Sequence, residues 1–460
     1  MATFAIDIND VGLVVAHKGG VLAREPGYAL MVDDHIVTGT EALRQARIKP
    51  RQVSNRYWAN LSLDSGTAGV AGVNSAAELA HSQLQALWAQ FADKADDVLL
   101  VVPDYYTREQ LGVLLGLTQE IGIEVRGMLS SAAAVSARPY PGRQLVHLDA
   151  GLHRISVTPL EQGDSVMALQ EIGLEGIGLA SVMDLWAKRF SELFVLATRF
   201  DPFHRADTEQ LIYDHLPDWL QSLQEEDAAQ FELEYSRDIH RVEVQREQLL
   251  AAVSGFYRAL LQLVAQVREG GAGLVVQVSH HLGSLPGLVN ELLRLDDAHV
   301  LCLGPDEPVK GALAMQVTET RNDQVKLLKR VPWREQAQEQ VAVDEVVSHR
   351  SQAPDSNPSH VVYNGIAYPV GVEGLSIGRT QPNGRRSIVL TGENSGVSGS
   401  HCELVLRDGE VKLIDQSRHG TFVNEKRVST ETTLHPADVI RVGSPGEELR
   451  VIRLAKDHGA

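Results

Sequence analysis

Asp415-Gln416-Ser417-Arg418-His419-Gly420-Thr421-Phe422-Val423-Asn424 is the stretch from which the carboxyl-terminal fold of this 460-residue chain is read. It lies in a region, 361–455, that breaks into short strand-like runs separated by turn signals such as Arg407-Asp408-Gly409-Glu410. That spacing predicts an all-β module. Two short motifs precede the stretch in the same region, Ile377-Gly378-Arg379 and Val397-Ser398-Gly399-Ser400-His401.

Upstream, residues 331–360 are rich in Gln and Glu and then read Ser348-His349-Arg350-Ser351-Gln352-Ala353-Pro354-Asp355-Ser356-Asn357-Pro358. They have no apolar periodicity and read as a linker. Residues 1–330 alternate two patterns. Phe4–Ile8, Val98–Val102, Leu145–Leu148 and Leu274–Val278 are short apolar runs of the kind that form buried strands. Between them lie helix starts. Ser75-Ala76-Ala77-Glu78 and Thr107-Arg108-Glu109-Gln110 both have capping-box spacing ahead of a periodic apolar face. A long helix is expected over 242–268. Such alternation predicts an α/β body.

Bulk properties narrow the function. The 43% hydrophobic content is ample for packed cores, and only two cysteines occur, Cys302 and Cys402. A disulfide framework or structural zinc is not expected from these, and a reducing, cytoplasmic setting is. The first residues do not read as a signal peptide, and no apolar run reaches the ~20 residues that span a bilayer. The formal net charge is −18, yet residues 361–460 hold 12 Lys+Arg against 12 Asp+Glu. The acidic excess therefore lies upstream, which argues against nucleic acid and anionic membranes as partners.

The three carboxyl-terminal motifs resemble, in order and spacing, the Gly-Arg, Ser-x-x-His and Asn-Gly-Thr-x-x-Asn signatures of the forkhead-associated (FHA) family. The resemblance covers the all-β module and implies a sandwich that binds phosphothreonine on a partner protein in a Ser/Thr kinase pathway. Phosphothreonine presents roughly two negative charges and three strong acceptor oxygens. By resemblance Arg379 pairs with the phosphate and Ser398 donates a hydroxyl. Gly399, Arg418 and His419 fall at the remaining phosphopeptide positions. Gly378, His401, Gly420 and Asn424 are the structural positions. Two departures stand out. Gly399 replaces a residue that is often Arg, Lys or Asn, and His419 replaces the Asn that holds the peptide backbone. Arg418 is the expected substitute for the missing cation. In the alternative, Gly378, Gly420 and His401 only shape turns and no phosphate binds.

The body resembles the actin-like ATPase superfamily, nearest to the nucleotide-binding domain of DnaK-type chaperones. That fold is two-lobed, and each half opens with a hairpin whose Asp follows a buried strand. Phe4-Ala5-Ile6-Asp7-Ile8-Asn9 and Val146-His147-Leu148-Asp149-Ala150-Gly151 stand in those places. Val101-Val102-Pro103-Asp104-Tyr105-Tyr106, Ser130-Ser131-Ala132-Ala133-Ala134 and Ser279-His280-His281-Leu282-Gly283 resemble further chaperone motifs. The resemblance makes Asp7, Asp149, Gly151 and Gly283 degenerate nucleotide-binding positions. The departures are many. Gly-Thr-Thr of the first hairpin reads Asn9-Asp10-Val11, and Gly-Gly-Gly-Thr of the second reads Gly151-Leu152-His153-Arg154. Leu129 stands where the chaperones have a Glu, and His280-His281 where they have Gly-Gly.

Asp10 would set a carboxylate beside the phosphates, and His153 and Arg154 would add side chains there. The reading is a pseudo-ATPase with no catalytic residue and no cofactor, ATP with Mg²⁺ being the alternative if the cleft works. No metal site is expected, because His280-His281 has no Cys, Asp or Glu nearby in sequence. The function expected is a cytoplasmic adaptor that also holds a second protein partner on its body. The alternative is an active DnaK-like chaperone whose clients the FHA module selects.

Overall fold

Thr3–Asp7 carries four consecutive buried residues, so it has no solvent face and needs neighbours on both sides. In the computed structural model it lies between Leu13–His17, antiparallel, and Asp97–Val102, parallel. Val125–Ser130 and Leu327–Leu328 extend the parallel side, and Gly20–Glu25 closes the other edge. A second sheet repeats this order about Arg143–Ala150. Arg154–Gln162 and Ser165–Ala168 follow antiparallel on one side, and Gly273–Val278 and Ala298–Cys302 follow parallel on the other. One sheet topology is thus present twice.

The structure describes residues 2–315, 325–335, 360–363, 366–371, 374–380, 386–390, 397–407, 410–424, 426–435, 438–443 and 446–452. The chain divides into two units, Met1–His349 and Arg350–Ala460. The body does not stop at 330. Arg330–Pro332 adds a strand to Ser165–Ala168, and the Arg334 and Glu335 N–H groups both donate to the Ala137 carbonyl. Most of the expected linker, 336–359, lies outside the described residues, as does the end of the chain from 453.

Local signals set the helices. Ser75 Oγ accepts the Glu78 N–H of helix Ala76–Trp88 at 3.3 Å, and Thr107 with Gln110 forms a complete capping box on Arg108–Ile121. Helix Arg246–Val267 buries Leu249, Val253, Phe256, Tyr257, Leu260, Leu263 and Val264, a 3.6-residue period. It is long and apolar enough to cross a membrane by length and composition, but that apolar face packs into the core of the second half.

The helix does not begin at 242 as the sequence suggests. Asp238–Gln245 is a strand, paired antiparallel with Ala228–Tyr235. Phe231, Leu233, Val242 and Val244 point inward between charged neighbours, a period of two that overrides helical propensity.

The carboxyl-terminal unit is a sandwich. One sheet runs Ile366–Pro369, His360–Tyr363, Glu447–Ile452, Val439–Val442, Thr421–Val423, Lys426–Arg427. The other runs Ser387–Val389, Leu375–Gly378, Cys402–Arg407, Glu410–Asp415, Glu431–Thr433. Ile377, Cys402, Leu404, Leu413, Ile440 and Leu449 fill the space between.

In the body, a Cβ at Gly311 of helix Glu307–Ala314 would stand 1.8 Å from the carbonyl oxygen of Ala134 in helix Ser131–Val135, so the two helices meet backbone to backbone. Gly311→Ala should destabilise the body by about 1–3 kcal/mol. Gly112→Ala, at an exposed helical position with open space around it, should stabilise by about 0.5–1 kcal/mol. Denaturant melts of the two variants check both signs.

Candidate functional site

Three loops meet at one end of the sandwich, and glycine makes the first approach. A Cβ at Gly378 would stand 2.1 Å from the Gly399 carbonyl oxygen, so no other residue lets the strand end come this near the 397–401 loop. There the Arg379 N–H donates to the Ser398 carbonyl at 3.2 Å, and the Thr380 N–H to the Gly399 carbonyl at 3.1 Å.

His401 ties in the third loop. Its ring is fully buried, Nδ1 accepts the Ser398 N–H at 3.1 Å, and Nε2 donates to the Gly420 carbonyl at 3.2 Å. Burial holds its pKa below the ordinary histidine value, which keeps the ring neutral with its hydrogen on Nε2. Beyond it, Asp415 Oδ1 accepts from the Ser417 N–H at 3.0 Å and the Thr421 hydroxyl at 2.8 Å. Burial raises the Asp415 pKa, but these bonds outweigh burial and leave it lowered. Ser417 Oγ accepts the Gly420 N–H at 2.7 Å and closes the turn, where Gly420 adopts φ +94°.

The Arg418 N–H donates to Ser398 Oγ at 3.4 Å, so that oxygen is an acceptor within the protein and its own hydrogen is left for another group. Arg379, Arg418 and His419 are exposed around it, and no carboxylate among the described residues pairs with Arg379. Asn424, at φ +48°, serves the next turn instead. Its Nδ2 donates to Asp438 at 2.7 Å, and its Oδ1 accepts the Val439 N–H at 3.0 Å. The loop end therefore offers cationic and hydroxyl donors on a fixed frame, the chemistry that receives a tetrahedral dianion.

Residues 375–443 match the FHA domain model. They form an FHA domain. No curated protein matches the chain. The FHA domain also brings up a residue outside the three motifs. Arg427 lies with Nε 2.5 Å from where a Gly420 Cβ would stand. Nothing in Lys426-Arg427 marks it in sequence; only the hairpin register, Phe422 opposite Arg427, brings it to the turn.

In the body, the two repeated hairpins face one another. Asp7, Asn9, Asp149, His280 and His281 surround a space of about 20 Å³, room for a single water. Asn9 Nδ2 reaches Asp149 Oδ2 and the Ala150 carbonyl, both at 3.4 Å. Asp10 is only 2% exposed, and its Oδ1 accepts the Leu152 N–H at 2.7 Å. It fills the space over Gly151, where a Cβ would stand 2.6 Å from the same oxygen.

His153 and Arg154 are engaged elsewhere. His153 Nε2 bonds Asn55 at 2.8 Å, and Arg154 pairs with Glu171 at 2.9 Å and Glu175 at 2.8 Å. Gly283 packs against Cys302, apart from the residues around that space, and Leu129 is buried in apolar core. Asp104 Oδ2 accepts the Ala132 N–H at 2.9 Å and caps the helix Ser131–Val135. Arg24 pairs with Asp306 at 2.8 Å and Arg47 with Asp184 at 2.5 Å, further ties between the two halves. Among the described residues no three His, Cys, Asp or Glu side chains converge as metal ligands.

Burial, reinforced by Asp149, pushes the Asp7 carboxyl up to about 8, and burial pushes Asp10 up to about 7. Burial lowers His281 to about 4. Folded Asp7 thus keeps its proton up to about pH 8, whereas the unfolded chain releases it near 3.8, the ordinary value for an aspartate. Its contribution to stability is complete below that lower value and is lost as pH rises through about 8. Asp7→Asn, which cannot ionise, should therefore melt higher than the natural protein at pH 8.5. The difference should vanish near pH 4, as thermal melts across that range would show.

Proposed function

We propose that the chain is an adaptor whose FHA domain binds phosphothreonine on a partner protein and whose body is an actin-like scaffold that works without nucleotide. The observation that carries the first part is the convergence of Arg379, Ser398 and Arg418 on three loops joined by His401. A guanidinium presents two parallel N–H groups to phosphate oxygens, and Arg379 is free to turn that fork outward. Ser398 supplies a short hydroxyl donor, oriented because its oxygen already accepts the Arg418 N–H. Arg418 adds the cation that Gly399 does not. The partner is a protein phosphorylated by a Ser/Thr kinase, and the adaptor acts in the cytoplasm.

The reading of the body rests on two supports. One is the repeated sheet order about Asp7 and Asp149, the arrangement that the resemblance to actin-like ATPases implies. The other is Asp10. Its carboxyl oxygen accepts a hairpin N–H of the kind that a phosphate oxygen would take, so that donor is already occupied. The surrounding space, about 20 Å³, compares with roughly 300 Å³ or more for ligand pockets. A working ATP-dependent chaperone is the second reading, favoured by the survival of Asp7 and Asp149 on one cleft. Under our reading the body binds a second protein by its surface.

Binding of the full-length protein to phosphorylated and unphosphorylated threonine peptide libraries tests the first part. Arg379→Ala should weaken the phosphopeptide complex about tenfold or more, from ~1.5–3 kcal/mol per charge-assisted bond. Equal affinity for the two libraries would refute the reading. Calorimetric titration with ATP and Mg²⁺ should give no heat of binding; micromolar binding with turnover would favour the chaperone.

A further inference from the structure

One cation lies against the phosphopeptide loops without belonging to any of the three motifs. In the hairpin Thr421–Val423/Lys426–Arg427, Phe422 pairs with Arg427, and on its other side Phe422 pairs with Arg441. Directly opposed residues share a sheet face, and side chains alternate along a strand. Thr421 is fully buried and Val423 packs against the core, so Phe422, Arg427 and Arg441 lie on the outer face. Arg441 stacks on the Phe422 ring at 4.7 Å. Arg427 lies with its Nε 2.5 Å and its Nη2 3.2 Å from a Cβ position on Gly420. Its guanidinium therefore lies across the turn that presents Arg418 and His419. Glycine is favoured at 420 by its φ of +94°, and the turn it makes is covered by the Arg427 guanidinium.

Arg427 is exposed, and no carboxylate among the described residues pairs with it. Three acids of the described residues in this module have partners of their own. Asp415 is held by Ser417 and Thr421, Asp438 by Asn424, and Glu431 by Lys412. The phosphate's needs are met by Arg379, Ser398 and Arg418. His419 replaces the family Asn that would hold the peptide backbone, which leaves a larger share of the peptide's register to side-chain contacts.

We propose that Arg427 is a specificity-determining residue that reads an acidic side chain close to the phosphothreonine. The proposal rests on the phosphothreonine reading of the FHA domain. A carboxylate matches the guanidinium fork in geometry and charge, and a basic side chain at that place meets a like charge.

The test uses the full-length protein and a phosphothreonine peptide of otherwise neutral sequence, with a single Asp moved position by position along either side. Binding is read by fluorescence anisotropy. At one position Asp should tighten binding about three- to fivefold over Ala, the range of an exposed ion pair, and added salt should shrink the gain. In Arg427→Gln the Asp-to-Ala affinity ratio should fall to about one. In Arg427→Glu it should invert, with Lys preferred at that same position, a swap that a merely structural role would not produce. No gain at any position, or an unchanged ratio in Arg427→Gln, overturns the proposal. Equal binding of phosphorylated and unphosphorylated peptides overturns the phosphothreonine reading itself, and this proposal with it.

Discussion

Both ring nitrogens of His401 are spent on backbone groups from different loops, one accepting from Ser398 and one donating to Gly420. Only a neutral imidazole does both, since a protonated ring has two donors and no acceptor. Burial supplies that neutrality by penalising the charged form. The recognition end depends on this one ring. Without it, the 397–401 loop keeps its bonds to Arg379 and Thr380 and the 3.4 Å bond from the Arg418 N–H to Ser398 Oγ, but loses the buried bond to the Gly420 carbonyl. The proposed phosphate site needs both loops at once, because its donors would come from each. Gly378 and His401 are therefore a pair. One permits close approach and the other holds what has approached.

The body shows a different use of buried polarity. Asp7 and Asp10 are carboxyl groups removed from water with no cation in salt-bridge contact among the described residues, and their raised pKa values register the cost of ionising them. Asp10 recovers part of it by accepting the Leu152 N–H, while its second oxygen is buried without a partner among the described residues. Such groups survive selection when they hold something in place. Here Asp10 joins the first hairpin to the second across 142 positions of sequence, and Asn9 to Asp149 repeats the connection beside it. The two halves are thereby fastened by the protein's own side chains at the point where the resemblance implies a nucleotide would fasten them.

What was legible in the sequence divides along the range of the interaction. The FHA motifs are local strings whose glycines and histidine answer local geometry, so residues and spacing sufficed to place the module. Caps were legible for the same reason, as at Thr107 and Gln110. The hairpin Ala228–Tyr235/Asp238–Gln245 was missed because Val242 and Val244 run directly into the apolar face of the next helix, which hid the change of period. The strand Arg330–Pro332 is not legible in the sequence because it is short and pairs with Ser165–Ala168, far back in the chain. Asp10 was singled out, yet its partner could not be. Expectation set His153 and Arg154 in the phosphate space, whereas Asn55 and Glu171 draw them off. Those partners lie far away in sequence or carry no motif. Arg427 was overlooked on the same ground.

Charge completes the division of labour. The acidic excess lies upstream of the sandwich, whose own charges cancel. At physiological salt an electrostatic field falls off over about 8 Å, so exposed charges farther from the loops than that contribute little to affinity. A net-neutral module with no long-range attraction for anions must win its ligand by contact. Contact energy depends on donors being in place before the ligand arrives, since ordering them afterwards consumes the gain. Under the proposed reading, the bonds that fix Ser398, the closed turn at Gly420 and the guanidinium packed across it are where selectivity is decided. Arginine suits this better than lysine, because its donors sit in a rigid plane that packing can aim.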